Sequence, residues 1–581
     1  MRRTMLAIGL VLLAGASSVL AQEVTPIVHE LENGMTFLLI PRPGDPNISA
    51  GWITKVGSVD ESAGITGVAH LFEHMMFKGT DTIGTTDAEA DRRVIEHLDT
   101  LHAQIRAHEQ ELQRQERLGT IDDWKNPEHR TAEHQELLND FETVLAEQKG
   151  LLIKDDFDRI YTGAGASGMN AGTSNDFTVY FINVPANKLE LWFWMESDRL
   201  QNPVFREFYS ERAVVHEERR LRVDSTPTGL LDEQYNAMFW ESSPYGWPVI
   251  GWPSDLYGLT REEALAFFDV YYAPNNLAAA LVGDFDPDEA IAWAEEYFGG
   301  IPRGPRSPEP VRTTEMAQQS EKRMTGMADT TPQVQIRYHT VADGHVDEPA
   351  LLVLGQILSG RTGRLFKSVV EEQDLATQAS GGQSGLKYAG SFDLRAQAKG
   401  DVPPEQVEAA IYAELDRLKE EPVGERELQK VKNRNAAGQY RQLQSSFGLM
   451  VQMLIFESGR GWEVINTSGL GLEAVTAEDI QRVANTYFDE TNRTVAIYYR
   501  TESDEPADPR LASLDPQEQQ QIAMVQQQLA GATSENAAQL QQQLVGMEAQ
   551  AGQVPAGNQD MFQLMLELVR ERIAELEGED E

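Results

Sequence analysis

The stretch His70-Leu71-Phe72-Glu73-His74 places two imidazoles four residues apart with a carboxylate beside the second. On a helix that spacing is one turn, so His70 and His74 face the same way and their ring nitrogens can reach one ion. Zn²⁺ takes nitrogen and oxygen ligands in a tetrahedral array, and a hydrolytic site keeps one position open for water. Such a site needs a third protein ligand. The chain has no cysteine, so a carboxylate or a further histidine must supply it. The strongest candidate segment is Glu211-Arg212-Ala213-Val214-Val215-His216-Glu217-Glu218. Glu211 and Glu218 are seven apart and share a helix face, while His216 and Glu217 are competing ligands.

Around the motif the pattern alternates between strands and helices. His29 to Pro41 alternates and turns at Asn33-Gly34, as a hairpin would, and Ile48 to Val56 reads as a strand leading to the motif helix. Between about Asp91 and Leu151 the spacing changes. Val94, Leu98, Leu101, Ile105 and Leu112 form one helical seam, and Leu138, Phe141, Leu145 and Leu152 another. With a turn over Gly119 to Pro127, these predict an antiparallel helical hairpin projecting from the body. Asn170 to Thr173 followed by the apolar run Phe177 to Val184 reads as a strand.

The chain is internally repeated. Thr260, Glu262, Tyr271, Asn276 and Ala280 recur as Thr476, Glu478, Tyr487, Asn492 and Ala496, each 216 positions later. In both copies a helix precedes a strand, Leu277 to Val282 and Thr494 to Tyr499. A constant offset over five matches argues for duplication of a whole domain. A Pro-rich link beginning Ile301-Pro302-Arg303-Gly304-Pro305 divides the copies. Beyond about Thr501 the chain is rich in Gln and Glu, with helical stripes at Ile522, Val525 and Leu529 and at Phe562, Met565, Val569 and Leu576.

At 581 residues the chain is too long for one core. Its start reads as an export signal: Arg2 and Arg3, the mostly apolar Met5 to Leu13, and the small-residue ending Val19-Leu20-Ala21. That places the mature protein in a bacterial periplasm, or, as second choice, outside the cell. The absence of cysteine excludes disulfides, thiolate ligands and a catalytic thiol. A formal charge of −43 argues against nucleic-acid binding, which needs clustered cations, and no later segment is apolar enough to span a membrane.

The order HxxEH inverts the HExxH metalloprotease motif, and with the two-carboxylate helix it resembles the insulinase-like metallopeptidases, which include pitrilysin and mitochondrial processing peptidase. The likeness extends over His70 to Thr80, Asn170-Ala171-Gly172-Thr173, the Glu211 helix, Tyr271 to Asn276 and Gly283-Asp284, across roughly residues 25 to 500. It implies an α+β fold of two duplicated sandwich domains closing as a clamshell. The expected extents are a signal over 1–21, a zinc-binding domain over 22–300 with the helical insertion at 91–152, and a linker over 301–315. An inactive homologous domain over 316–503 and a helical tail over 504–581 complete the chain. By position, the resemblance makes His70, His74 and Glu218 the ligands of one zinc ion, Glu73 the general base and Glu211 a carboxylate that tunes the ligands. Asn170, Ala171, Gly172 and Thr173 would lie on an exposed edge to which an extended substrate peptide adds itself. The implied activity is zinc-dependent endopeptidase action on peptides or unfolded segments.

One departure stands out. Many enzymes of that family carry an Arg and a Tyr in the second half, seven apart after an Arg-Leu-Phe element, that contact the substrate near the metal. Arg364-Leu365-Phe366 is present here, but Val370 and Thr377 occupy the positions of that pair. The expectation is therefore a homo- or heterodimer with a related subunit that supplies the missing pair.

Overall fold

The computed structural model describes residues 23–501 and, beyond them, residues 510, 518, 521–522, 524–526, 529, 537–550 and 559–578. The export signal expected over 1–21 lies outside the described residues. Two compact units divide the chain, one up to Arg500 and one from Thr501 onward.

The first unit opens with β1 (Ile27–Glu30) and β2 (Thr36–Pro41), an antiparallel hairpin with Glu30 opposite Thr36. Gly34 takes the left-handed turn position at φ 93°, which a Cβ would resist. There follow β3 (Asn47–Thr54), the motif helix α1 (Val68–Met75), α2 (Ala88–Arg117), α3 (Ala132–Leu151), α4 (Asp156–Gly163), β4 (Ser167–Thr173) and β5 (Thr178–Pro185). Then come α5 (Leu189–Gln201), α6 (Phe208–Arg219), α7 (Gly229–Phe239), α8 (Pro253–Gly258), α9 (Arg261–Tyr271), β6 (Leu277–Gly283) and α10 (Pro287–Trp293). Past the Pro-rich link the chain forms β7 (Lys322–Ala328), β8 (Gln333–Thr340), α11 (Glu348–Leu358), β9 (Ala376–Gly385) and β10 (Gly390–Ala398). It ends with α12 (Pro404–Glu420), α13 (Glu425–Gln444), α14 (Ser446–Gly459), α15 (Val464–Ala474), α16 (Ala477–Tyr487) and β11 (Arg493–Arg500).

Among the described residues the strands make two mixed sheets, ordered β1-β2-β6-β3-β5-β4 and β7-β11-β8-β10-β9. Without β1 the first has the order of the second. In each, the last strand of the copy runs parallel to the first and antiparallel to its other neighbour, β6 between β2 and β3 and β11 between β7 and β8. The 216-residue repeat is thus a repeat of topology. Its matched residues do the same local work. Thr260 and Thr476 both cap the following helix through a reciprocal capping box. Asn276 and Asn492 each donate a side-chain hydrogen bond to the carbonyl of the matched tyrosine, 2.9 Å to Tyr271 and 2.8 Å to Tyr487.

Each sheet borrows a helix from the other copy. β6 is buried along its whole length, with Ala279 and Leu281 on the main core and Ala278, Ala280 and Val282 on the opposite face. That second face is covered by Met450, Met453 and Leu454 of α14. In return, Tyr235 of α7 packs on Ala496 and Tyr498 of β11 and donates its hydroxyl to the Thr494 carbonyl at 3.0 Å. Burying each large apolar side chain of this kind stabilises by about 1.5–3 kcal/mol.

Two local expectations change. The segment read as one strand from Asn170 to Val184 is two: β4 forms the sheet edge and the apolar run forms β5 inside it, paired antiparallel through a turn at Ser174 to Phe177. Gly and Asn in the first half of that segment and aliphatics in the second suit an edge and an interior strand respectively. The helical hairpin does not simply project. Val94, Leu98 and Leu101 enter the main core, Arg206 and Asp91 form a fully buried ion pair at 2.6 Å, and the Tyr209 hydroxyl donates to Asp99 at 2.7 Å. In the second unit, α17 (Ala537–Gln550) and α18 (Gln559–Gly578) share an apolar cluster with Ile522 and Leu529, including Leu564, Val569 and Ile573.

Candidate metal centre

The motif helix is held at its start. Gly67 caps α1 at φ 88°, where a Cβ would come within 2.6 Å of the Ile250 carbonyl. The buried Glu61 carboxyl accepts from the backbone N–H of Gly67 at 2.9 Å and of Ala69 at 2.8 Å, satisfying two of the free N–H groups at the start of the helix, while burial pushes it well above the usual carboxyl range. Leu71, Phe72 and Met75 sit in the main core, with the Phe72 ring 5.2 Å from that of Tyr272 and 5.8 Å from that of Phe268. Pinned on that side, α1 turns His70, Glu73 and His74 toward α6 and β4.

Glu218 Oε2 lies 3.2 Å from His74 Nε2 and 3.8 Å from His70 Nε2. One ligand atom from each of the three residues falls within 4.8 Å of the others, and among the described residues this is the one such group. Two nitrogens and one oxygen converging in this way fit a zinc ion with a position left over. Burial, with His74 close by, pulls His70 down to about 3, so its ring is neutral, as a ligand must be. His70 Nδ1 is buried with no hydrogen-bond partner among the described residues, which leaves Nε2 as the nitrogen turned to the carboxylate. Burial also acts to lower His74, but the hydrogen bond to Glu211 and the charges of Glu211, Glu218 and Glu73 outweigh it and hold it above the usual value. His74 lies between two carboxylates that favour its protonated form, and a metal cation there would compete with that proton.

Glu211 is placed to orient rather than to ligate. Its Oε1 is 2.8 Å from His74 Nδ1 and its Oε2 is 2.6 Å from Lys78 Nζ. Burial tends to raise this carboxyl, yet those two partners bring it below its usual range. The competing residues go elsewhere. Glu217 is exposed and pairs with Arg220 at 2.8 Å, and His216 has its Nε2 buried and unpartnered among the described residues, near Tyr257. Arg222 approaches Glu218 Oε1 to 2.6 Å and so holds the carboxylate from behind.

Glu73 connects the helix to the sheet edge: Thr173 Oγ1 donates to Glu73 Oε2 at 2.7 Å. Asn170, Ala171, Gly172 and Thr173 all lie on β4, the edge strand beside this carboxylate. Sequence reading missed Lys78, Arg222 and the tie from Thr173 to Glu73. The first two were within reach, because Lys78 follows His74 by four residues and Arg222 follows Glu218 by four. The third needed the sheet. Arg364 is bound to Glu427 at 2.8 Å and Leu365 is buried in the second core. Val370 packs against that core and Thr377 is exposed at the start of β9.

An HxxEH helix facing a helix with two carboxylates belongs to the inverted class of zinc peptidase sites. Comparison with known proteins agrees in both halves: residues 36–106 match the family described as insulinase (peptidase family M16), and residues 258–435 match the peptidase M16 inactive domain. Over both matched segments the chain is similar to the M16, or insulinase, peptidases. The zinc protease PqqE of Helicobacter pylori is 26% identical over 477 residues, 80% of this chain and 91% of that protein. An uncharacterized zinc protease of Bacillus subtilis, YmxG, is 21% identical over 80% of this chain and 95% of its own. Among solved structures, a protease from Helicobacter pylori superposes with a TM-score of 0.66 at 23% identity, covering 82% of this chain and 99% of that one. The periplasmic protease PqqL from Escherichia coli gives 0.58 at 17% identity, covering 84% of this chain and 49% of that one.

Proposed function

We propose that this chain is an exported zinc endopeptidase that cuts peptides or unfolded segments, and that it is the metal-bearing member of a pair. The observation that carries the reading is the convergence of His70, His74 and Glu218, with Glu73 joined to an edge strand. His70, His74 and Glu218 hold one zinc, which when bound polarises a scissile carbonyl and acidifies water. Glu73 accepts the proton released from the attacking water and passes it to the leaving amine. Thr173 fixes that carboxylate against β4. An extended peptide adding to the free edge of β4 is aligned by main-chain hydrogen bonds, which select little by side chain. Glu211 orients His74, and Lys78 keeps Glu211 ionised.

The reading assigns residues 22–300 to the metal-bearing domain with its insertion at 91–152, 301–315 to the link, 316–503 to the inactive copy and 504–581 to the tail, with the two copies closing as a clamshell. Export rests on residues 1–21 and agrees with the described location of PqqL; no described helix is long and apolar enough to cross a membrane. Partner dependence rests on Val370 and Thr377, since neither offers the charge-assisted donor that an Arg would, and loss of one oxyanion donor costs about 10² to 10³ in turnover. The test is to purify the chain, measure zinc content and hydrolysis of an unstructured fluorogenic peptide, and repeat with a related subunit from the same source that lacks HxxEH. Bound zinc, weak activity alone and strong activity in the pair are expected. Absence of zinc and of hydrolysis in both would overturn the peptidase reading, and strong hydrolysis by the lone chain would overturn only the partner.

A further inference from the structure

A cavity of about 350 Å³ lies between the turn after β4 and the second sheet, away from the zinc ligands. Asn175 and the aromatic residues Trp240, Tyr245 and Trp247 line it from one side, and Arg337 and Arg395 from the other. The aromatic wall is rigid: Trp247 donates its indole N–H to the Ser58 carbonyl at 2.7 Å, and Tyr245 donates its hydroxyl to Asp176 at 2.7 Å. Arg337 is committed. Its Nε meets Asp393 at 2.5 Å, its Nη1 donates to Asn236 at 3.0 Å, and its guanidinium lies over the Phe239 ring. The other oxygen of Asp393 accepts from Ser391 at 2.7 Å. Arg395 is different: it is exposed on β10 and its side chain makes no hydrogen bond or ion pair among the described residues.

We infer that this cavity is a specificity pocket for a carboxylate of the bound peptide, with Arg395 as the residue that reads it. The inference rests on the peptidase reading above and adds a substrate preference to it. With Arg337 and Asp393 neutralising each other, the lining carries one uncompensated positive charge. In a chain of formal charge −43 an unpaired guanidinium in a cavity is the locus where an anion gains most, because a planar donor fork matches a carboxylate in two parallel hydrogen bonds. The position fits a peptide. Thr173, which touches Glu73, is two residues before Asn175, so no more than about 7 Å of backbone separates the base from the cavity wall. A strand added along β4 advances about 3.4 Å per residue. The group entering the cavity therefore sits about two to four residues from the one beside Glu73.

Two sources offer this carboxylate, an Asp or Glu side chain and the C-terminal carboxylate of a short peptide. The experiment uses zinc-loaded Glu73→Gln protein, which turns over about 10²-fold more slowly than wild type, and fluorescently labelled peptides compared by anisotropy before cleavage sets in. One arm moves a single Glu, against Gln, through successive positions of an amidated peptide; the other compares a neutral peptide as free acid and as amide. We expect the carboxylate form to bind about tenfold more tightly in one arm, at one position. Adding Arg395→Gln should erase that ratio, Arg395→Lys should keep part of it, and both should leave binding of neutral peptides unchanged. The arm that shows the ratio identifies the source. An unchanged ratio in Arg395→Gln, or equal binding of all forms by the parent, overturns the pocket. Zinc-dependent hydrolysis by the wild-type chain in that case leaves the peptidase reading standing, whereas no binding and no hydrolysis of any peptide removes both.

Discussion

In the first sheet the helix that follows β3 carries His70, Glu73 and His74; in the second sheet the helix that follows β8, α11, presents Ala350, Leu351, Leu354, Ile357 and Leu358, all buried in the second core. The partner helices differ in the same sense. α6 brings Glu211 and Glu218 to α1, whereas on α13 the contact to α11 includes Arg434, whose guanidinium donates to Gln356 at 3.3 Å. One topology therefore holds a charged, metal-ready cluster in one copy and plain packing in the other. The scaffold needs neither, and the chemistry is a local property of one helix pair placed on it.

The sharpest way to break this contrast is His74→Ala. Losing one of three ligands should drop zinc from one per chain to none and activity by more than about 10³-fold, with the fold kept. Metal analysis and circular dichroism check it, and full zinc retention would show that the two helix pairs do not differ as stated.

The helical insertion exists only in the first copy and is tied to it by Asp91 and Arg206. Asp91→Ala leaves a buried, unpaired guanidinium and should cost about 3–5 kcal/mol of stability by denaturant unfolding. A cost near zero would make the hairpin an appendage.

Glu73→Gln sharpens the comparison from the other side, because it should keep zinc and lose about 10²-fold in peptide hydrolysis. Wild-type turnover in that variant would remove Glu73 as the base.

The smallest effect concerns Asp60, close to Lys387 of the second copy. Burial pushes its carboxyl up to about 6 from 3.8. Between those values the native state holds a proton that the unfolded chain has lost, so this group's contribution to stability falls as pH rises and levels off above about 6. Asp60→Asn keeps an oxygen to accept the Gly57 N–H, bonded at 3.0 Å in the parent. Its stability relative to the parent should grow by on the order of 2 kcal/mol between pH 4 and 7. A flat difference across that range would show that this junction is no drier than the surface.

Much of this was legible along the chain. The positions of β2, β3, β6 and β11 follow from alternation and the Asn-Gly turn, and the repeat of Thr260, Tyr271 and Asn276 at 476, 487 and 492 announced a repeated topology because each residue bonds within six positions of itself. His70 with His74, and Glu211 with Glu218, were readable as faces for the same reason. The edge role of Asn170 to Thr173 was carried only by resemblance, since whether a strand has one neighbour or two is not written in its own residues. The buried pairing of Arg206 with Asp91 and the exchange of α7 and α14 between sheets left no local mark.

The sequence by itself determined the helix faces, the repeat and the donor types for a metal, because each depends on spacings within one or two turns. Only the tertiary structure decided that Arg206 pairs with Asp91, that Thr173 holds Glu73, and that the Arg395 side chain stands beside a cavity without a partner among the described residues. Those facts join residues more than 90 positions apart in sequence or depend on what surrounds a side chain, and the rotation of one packed helix against another settles them in ways that no periodicity records.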